Sequence, residues 1–182
     1  MGRTVCTTVA AAIIVSVFGV ALMAQKTTQI KMGGGGSPHV KSEWTIDGAN
    51  ISITYGRPSL KGRPEATLMP AGPWRMGADE PTLLTTDKPL KFGALSVAPG
   101  THTLNAAIGA NEWQLLVGTL ATPTQWGIPY KPDLEKGRAP MKLGTAASPV
   151  EMVTISIDDT PAGATLRVEW GTKSATIPFT VG

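Results

Sequence analysis

The chain has 182 residues and a formal net charge of only +3, and 16% of its residues are charged. This small excess of positive charge argues against a nucleic-acid partner, which normally requires a basic stripe. The single cysteine, Cys6, excludes an intramolecular disulfide. The 21 glycines and 15 prolines, together with abundant threonine and valine, indicate short strands joined by tight turns rather than helices.

The first 24 residues have the layout of a secretory signal. Arg3 gives a basic start, an apolar run covers residues 5–24, and Ala21 and Ala24 are small residues at its end. We therefore expect cleavage after Ala24, which removes Cys6 and places the remaining chain in the periplasm or outside the cell. A retained anchor is the alternative, because 20 apolar residues can span a bilayer. In that case the membrane would be contacted through this segment alone.

Residues 25–37 separate the leader from the rest of the chain. They are polar and contain four consecutive glycines, Gly33 to Gly36. Ordering such a run costs much backbone entropy, so the pattern predicts a flexible tether. A single domain is then expected over residues 38–182, a length that can bury a substantial core.

Strand-like segments follow one another along this domain. Asp47-Gly48 between two such segments, at 39–46 and 51–55, predicts a β-hairpin. Two proline-rich stretches, 57–76 and 122–138, are expected to be loops. Further strands are expected at 82–86, 90–92, 95–98, 101–108, 113–119, 141–145, 151–157, 165–170 and 174–181. About ten short strands at this spacing predict an all-β fold, an antiparallel β-sandwich of Greek-key or jelly-roll type.

The densest block of polar residues lies in and beside the first long loop. Arginine guanidinium groups suit a carboxylate or phosphate, and a tryptophan face suits a ring or sugar. The block predicts a ligand-binding site made of Tyr55, Arg57, Arg63, Trp74, Arg75, Asp79 and Glu80. The alternative is structural, with the arginines satisfying loop carbonyls and Trp74 filling the core.

Metal and cofactor chemistry find little support in the sequence. His39 and His102 are the two histidines, and neither has an acidic residue beside it at metal-ligand spacing. No nucleophile elbow, zinc-protease motif or phosphate-binding glycine loop is present. We therefore expect no metal and no cofactor, and we assign no catalytic residue.

The polar block also carries a family resemblance. Tyr-Gly-Arg-Pro at 55–58, Lys-Gly-Arg at 61–63, Trp-Arg-Met-Gly-Ala-Asp-Glu at 74–80 and Gln-Trp-Gly at 125–127 resemble the bacterial DUF2911 family. The resemblance extends from about Ser37 to the C-terminus. The chain departs from the pattern at Asp79, where asparagine is usual, and at His102, where tyrosine is usual. The resemblance implies an exported domain of unknown function, with no established activity.

Three functions are compatible with these observations. The first, which we favour, is a non-catalytic binding module that holds a small anionic or carbohydrate ligand with the arginine and tryptophan cluster. The second is a structural or protein-interaction domain of the cell envelope without a small-molecule site. The third is a hydrolase that uses Glu80 or Asp79 as acid or base while Arg75 stabilises developing charge.

Overall fold

Antiparallel strands make up nearly all the regular structure of residues 25–182, the part of the chain that the computed structural model describes. The leader predicted over residues 1–24 lies outside this part. The helical elements are α1 (Glu65–Leu68) and a 3₁₀ turn at Pro132–Leu134. No helix within residues 25–182 has the length and apolar character needed to cross a membrane. The predicted all-β class is confirmed.

Eleven strands succeed one another along residues 25–182. They are β1 (Lys26–Met32), β2 (Pro38–Ile46), β3 (Ala49–Gly56), β4 (Gly72–Trp74), β5 (Thr82–Thr86), β6 (Leu90–Phe92), β7 (Leu95–Val97), β8 (Gly100–Ile108), β9 (Trp113–Gly118), β10 (Glu135–Thr160) and β11 (Gly163–Val181). They pair in the order β1-β2-β3-β5-β8-β9-β10-β11-β6-β7, and β4 also pairs with β8. This path is open, with β1 and β7 at its two ends. The sandwich arrangement therefore stays a prediction.

Two long strands replace four of the predicted short ones. β10 pairs with β9 through residues 135–141 and with β11 through residues 142–160. Its register with β11 shifts between Thr145 and Thr154, and Gly171 inside β11 has a φ of +61°. Such irregularities bend a strand without ending it. The breaks in the sequence pattern thus mark bulges rather than chain reversals. The second long loop also ends earlier than expected, because β10 begins at Glu135.

The structure corrects the prediction of a flexible tether. Residues 26–32 form β1, which pairs with β2 although all seven of its side chains are exposed. The glycine run makes a tight turn, in which the Gly33 N–H donates to the Ser37 carbonyl and the Gly36 N–H donates to the Gly33 carbonyl. The strand pairing and these turn bonds offset the entropy cost of ordering the glycines.

One hydrophobic core joins early and late strands of the chain. Side chains alternate across each strand, so every second residue faces this core. The rings of Phe92 on β6 and Phe179 on β11 lie 5.0 Å apart within it. Other buried members come from β2, β3, β5, β8, β10 and β11, and include Val40, Ile51, Ile53, Leu84, Leu104, Ile155, Leu166 and Val168.

The loop over residues 119–134 covers the outer face of β8 and β9. Thr103 and Asn105 lie on that face and are buried beneath it. The cavity between them and the loop measures about 20 Å³, which is too small for an organic ligand. Tyr130 fastens the loop by donating its hydroxyl hydrogen to Glu135. Glu135 also accepts two bonds from the Arg138 guanidinium, at 2.7 and 2.6 Å.

We expect Glu135→Gln to remove a stabilisation that depends on pH. The Arg138 hydrogen bonds lower the pKa of the Glu135 carboxyl. A carboxyl group with a depressed folded-state pKa stabilises the fold above its unfolded pKa of about 4.3, and this contribution is lost as the pH falls through the folded value. The wild type should therefore melt at a higher temperature than the variant at pH 7, and the difference should close below about pH 4.

Circular-dichroism melting between neutral and acidic pH measures this difference. Glu112→Gln is the matched control, because the Glu112 carboxylate forms no ion pair among residues 25–182. A gap between wild type and Glu135→Gln that stays constant down to low pH would contradict the assignment.

Candidate functional site

Tyr55 and Arg57 tie the end of β3 to β10. The Ile155 N–H donates to the buried Tyr55 hydroxyl oxygen over 3.0 Å. The Arg57 guanidinium donates to the Val153 carbonyl and to the Thr154 hydroxyl, both at 2.9 Å. Burial raises the pKa of Tyr55, so its hydroxyl stays protonated at neutral pH. These contacts support the structural interpretation for both residues, because their polar groups face the protein rather than a cleft.

Arg63 and Arg75 also donate to main-chain carbonyls. Arg63 donates to the Leu60 and Ser59 oxygens, at 3.0 and 2.6 Å. Arg75 donates to the Gly77 oxygen at 3.1 Å, and its partial burial lowers the pKa of its guanidinium. The three guanidinium groups therefore hydrogen-bond to three different segments of the protein, and their sharing of one ligand stays a prediction. Among them, Arg63 is the one that lines a large groove.

Trp74 is a core residue. Its ring stacks on Trp170 at a centroid distance of 5.9 Å and meets the Trp113 ring edge-on at 6.0 Å. Only 7% of its surface is exposed. These contacts bury the ring inside the protein and leave no free aromatic face for a sugar.

Asp79 and Glu80 form a cluster with His39, which the sequence did not lead us to expect. The His39 Nε2 atom lies 3.0 Å from Asp79 Oδ2, and Nδ1 lies 3.3 Å from Glu80 Oε2. Lys31 donates to the other Glu80 oxygen, and this hydrogen bond lowers the pKa of Glu80. The three residues each place one potential metal-ligand atom within 4.8 Å of the others.

Close backbone packing brings this cluster together. A Cβ atom on Gly56, at the end of β3, would lie 2.5 Å from the Ala78 carbonyl oxygen, and one on Gly77 would lie 2.9 Å from the Gly56 oxygen. Contacts that short exclude any side chain, so glycine is required at both positions. Asp79 then follows with a φ of +62°. Gly56 and Gly77 each lie inside one of the motifs noted in the sequence. These two glycines were the signal from which the packing of one motif against the other could have been predicted.

The sequence missed the role of His39 because its partners are distant along the chain. His39 and Asp79 are 40 positions apart. A search for metal ligands at short local spacing cannot detect such a pair. The register of β1 and β2 contributes as well, because it sets Lys31 opposite His39.

The largest groove described here lies elsewhere, beside α1. It measures about 760 Å³ and its wall includes Leu60, Met69, Ile108, Trp113 and Leu143. Arg63 and Lys173 supply positive charge at its lining. Glu65 also lines it, but its carboxylate accepts bonds from the Thr172 N–H and hydroxyl.

A comparison with known protein families agrees with the resemblance that the sequence motifs indicated. Residues 37–179 match the family described as Protein of unknown function (DUF2911). The chain belongs to the DUF2911 family. This match covers β2 through most of β11, and therefore both the groove and the histidine cluster apart from Lys31. No curated protein and no solved structure shows significant similarity to the chain.

We expect Tyr55→Phe to destabilise this DUF2911 domain. The substitution leaves the Ile155 N–H buried without its acceptor, at a cost of about 1–3 kcal/mol. The melting temperature should fall by roughly 3–10 °C. Thermal unfolding followed by circular dichroism measures the change.

Tyr130→Phe is the matched control, because it removes the hydroxyl of the other tyrosine at a more accessible position. Its effect should be smaller than that of Tyr55→Phe, because the Glu135 carboxylate keeps both of its hydrogen bonds from Arg138. An unchanged melting temperature for Tyr55→Phe would show that the bond to Ile155 does not support the fold.

Proposed function

We propose that the protein is an exported, non-catalytic binding module that holds a small anion with an apolar body in the groove beside α1. The observation that carries the proposal is the combination of a mostly apolar wall with two cationic side chains, Arg63 and Lys173. Ligand sites are typically concave and apolar, with a few polar groups that orient the ligand. A volume of about 760 Å³ lies within the usual range for such sites.

The Arg63 guanidinium is preorganised to bind an anion. Its bonds to the Ser59 and Leu60 carbonyls hold one edge of the guanidinium, so the group is oriented before a ligand arrives. Binding then costs less side-chain entropy than it would with a mobile arginine. The apolar wall favours an amphipathic acid over a carbohydrate, because a sugar needs many hydrogen-bonding groups that Met69, Ile108 and Leu143 do not offer.

The proposal also includes export of the protein and packing of its strands as a two-layered β-sandwich. Export is supported by the basic and apolar pattern of residues 1–24 and the small residues before Gln25. A sandwich is supported by Tyr55 and Arg57, which bond to β10 although β3 and β10 are not neighbours in the pairing order.

A structural or protein-interaction domain is the second candidate. It is favoured by the bonds of Arg57, Arg63 and Arg75 to main-chain carbonyls, which use these arginines to hold loops in place. The hydrolase hypothesis gains no such support. Asp79 and Glu80 do not line the groove and are engaged with His39 and Lys31.

Octanoate and octanol together test the proposed ligand class. Octanoate combines an apolar chain with a carboxylate, and octanol keeps the chain without the charge. Isothermal titration calorimetry of the purified protein should show saturable octanoate binding and much weaker octanol binding. Lys173→Glu should weaken octanoate binding about tenfold, because it replaces an attraction with a repulsion at the groove.

Lys91→Glu is the matched control, since it makes the same change of net charge at an exposed position on β6. It should leave octanoate affinity unchanged. Equal binding of octanol and octanoate, or equal effects of the two variants, would refute an anion-specific groove. No binding of either probe would favour the structural candidate.

A further inference from the structure

The histidine cluster has the geometry of a cation site, and it shares no lining residue with the groove. We propose that His39 Nδ1 and Glu80 Oε2 bind a divalent transition-metal cation such as Zn²⁺, and that Asp79 orients the imidazole through its Nε2 atom. The proposal stands independently of any ligand in the groove.

The separation of the two ligand atoms supports this assignment. His39 Nδ1 and Glu80 Oε2 lie 3.3 Å apart. A tetrahedral metal with bonds of about 2.0–2.1 Å to nitrogen and oxygen places two ligands about 3.3–3.4 Å apart. The separation of the two atoms therefore matches that of adjacent corners in such a coordination sphere.

The hydrogen bonding leaves both atoms available. Glu80 Oε2 is buried and has no hydrogen-bond donor among the described residues, while Lys31 engages the opposite oxygen. The His39 side chain is 4% exposed, so the imidazole cannot turn to solvent. When Nε2 donates to Asp79, Nδ1 of the neutral ring carries a lone pair and lies 3.3 Å from Oε2. Two acceptors then face each other in a buried position, an arrangement that a cation between them stabilises.

Asp79 supplies the arrangement that commonly supports a metal-binding histidine. Its Oδ2 lies 3.0 Å from Nε2, whereas Glu80 Oε2 lies 3.3 Å from Nδ1. A carboxylate in this position fixes the tautomer and ring orientation, and it raises the basicity of the ligating nitrogen. Asp79 itself is held by the close packing of Gly33, where an added Cβ would lie 1.9 Å from Oδ2.

The donor set selects the class of cation. One imidazole nitrogen with one carboxylate oxygen suits Zn²⁺ and neighbouring transition metals, whereas Ca²⁺ prefers six to eight oxygen ligands. Water must complete the coordination, and the Glu80 side chain, which is 38% exposed, is the part of the cluster that solvent reaches. We therefore expect Zn²⁺ to bind more than tenfold more tightly than Ca²⁺.

Calorimetric titration of the purified protein with zinc chloride tests the site. The wild type should bind Zn²⁺ at this site, Glu80→Gln should lose at least about tenfold in affinity, and Asp79→Asn should lose about tenfold. His102→Gln is the matched control, because it removes the other histidine, whose Nε2 bonds to the Ala98 carbonyl. Circular-dichroism melting checks that each variant remains folded, and the partly exposed Glu80 is the substitution least expected to disturb the core.

Nitrogen-15 NMR of the two histidine rings gives a second readout. Zinc should shift the Nδ1 resonance of His39 and leave both nitrogens of His102 unchanged. No saturable binding up to about 1 mM zinc, corresponding to a free energy weaker than about −4 kcal/mol, would overturn the proposal. Affinity that is unaffected by Glu80→Gln, or a shift of His102 alone, would place the zinc elsewhere and would overturn it as well.

Discussion

The cluster of His39, Asp79 and Glu80 depends on one close contact between two backbones. Gly56 at the end of β3 and Gly77 after β4 approach so closely that neither position has room for a side chain. This contact lies between Trp74, which is anchored in the core, and Asp79, which meets His39. The Gly127 N–H then donates to the Asp79 carbonyl, which adds the second long loop to the same contact. The two short motifs that contain Gly56 and Gly77 thus connect the hydrophobic core to the polar residues around His39.

Local signals in the sequence predicted the elements whose geometry is set by neighbouring residues. The hairpin at Asp47-Gly48 is an example, because both residues adopt the positive φ that such a turn requires. β1 was missed because its order comes from pairing with β2, whereas its composition is polar and exposed. The sequence predicted two short strands in place of each of β10 and β11, because a bulge and a turn give similar sequence patterns. Only the pairing with the partner strand, which continues past a bulge, distinguishes the two.

The same limit applies to the candidate sites: the sequence indicated which residues need partners, but it did not indicate partners that are distant along the chain. The sequence indicated that Arg57, Arg63 and Arg75 need partners, but a carbonyl and a bound anion satisfy a guanidinium in similar ways. The partner of Arg57 on β10 is 96 positions away, so local spacing could not distinguish the two. His39 was set aside for the same reason, because its acidic neighbours are brought to it only by folding.

The exposed strand β1 has a consequence for the handling of the protein. It forms one end of the pairing path, outside residues 37–179, which match the family. A fragment trimmed to that region would uncover the main-chain hydrogen-bonding groups of β2, a strand that carries Val40, Trp44 and Ile46. Bare edges of this kind recruit strands from other molecules. Strand β1, which carries two lysines, covers this edge of β2 and occupies the hydrogen-bonding groups that another molecule would use.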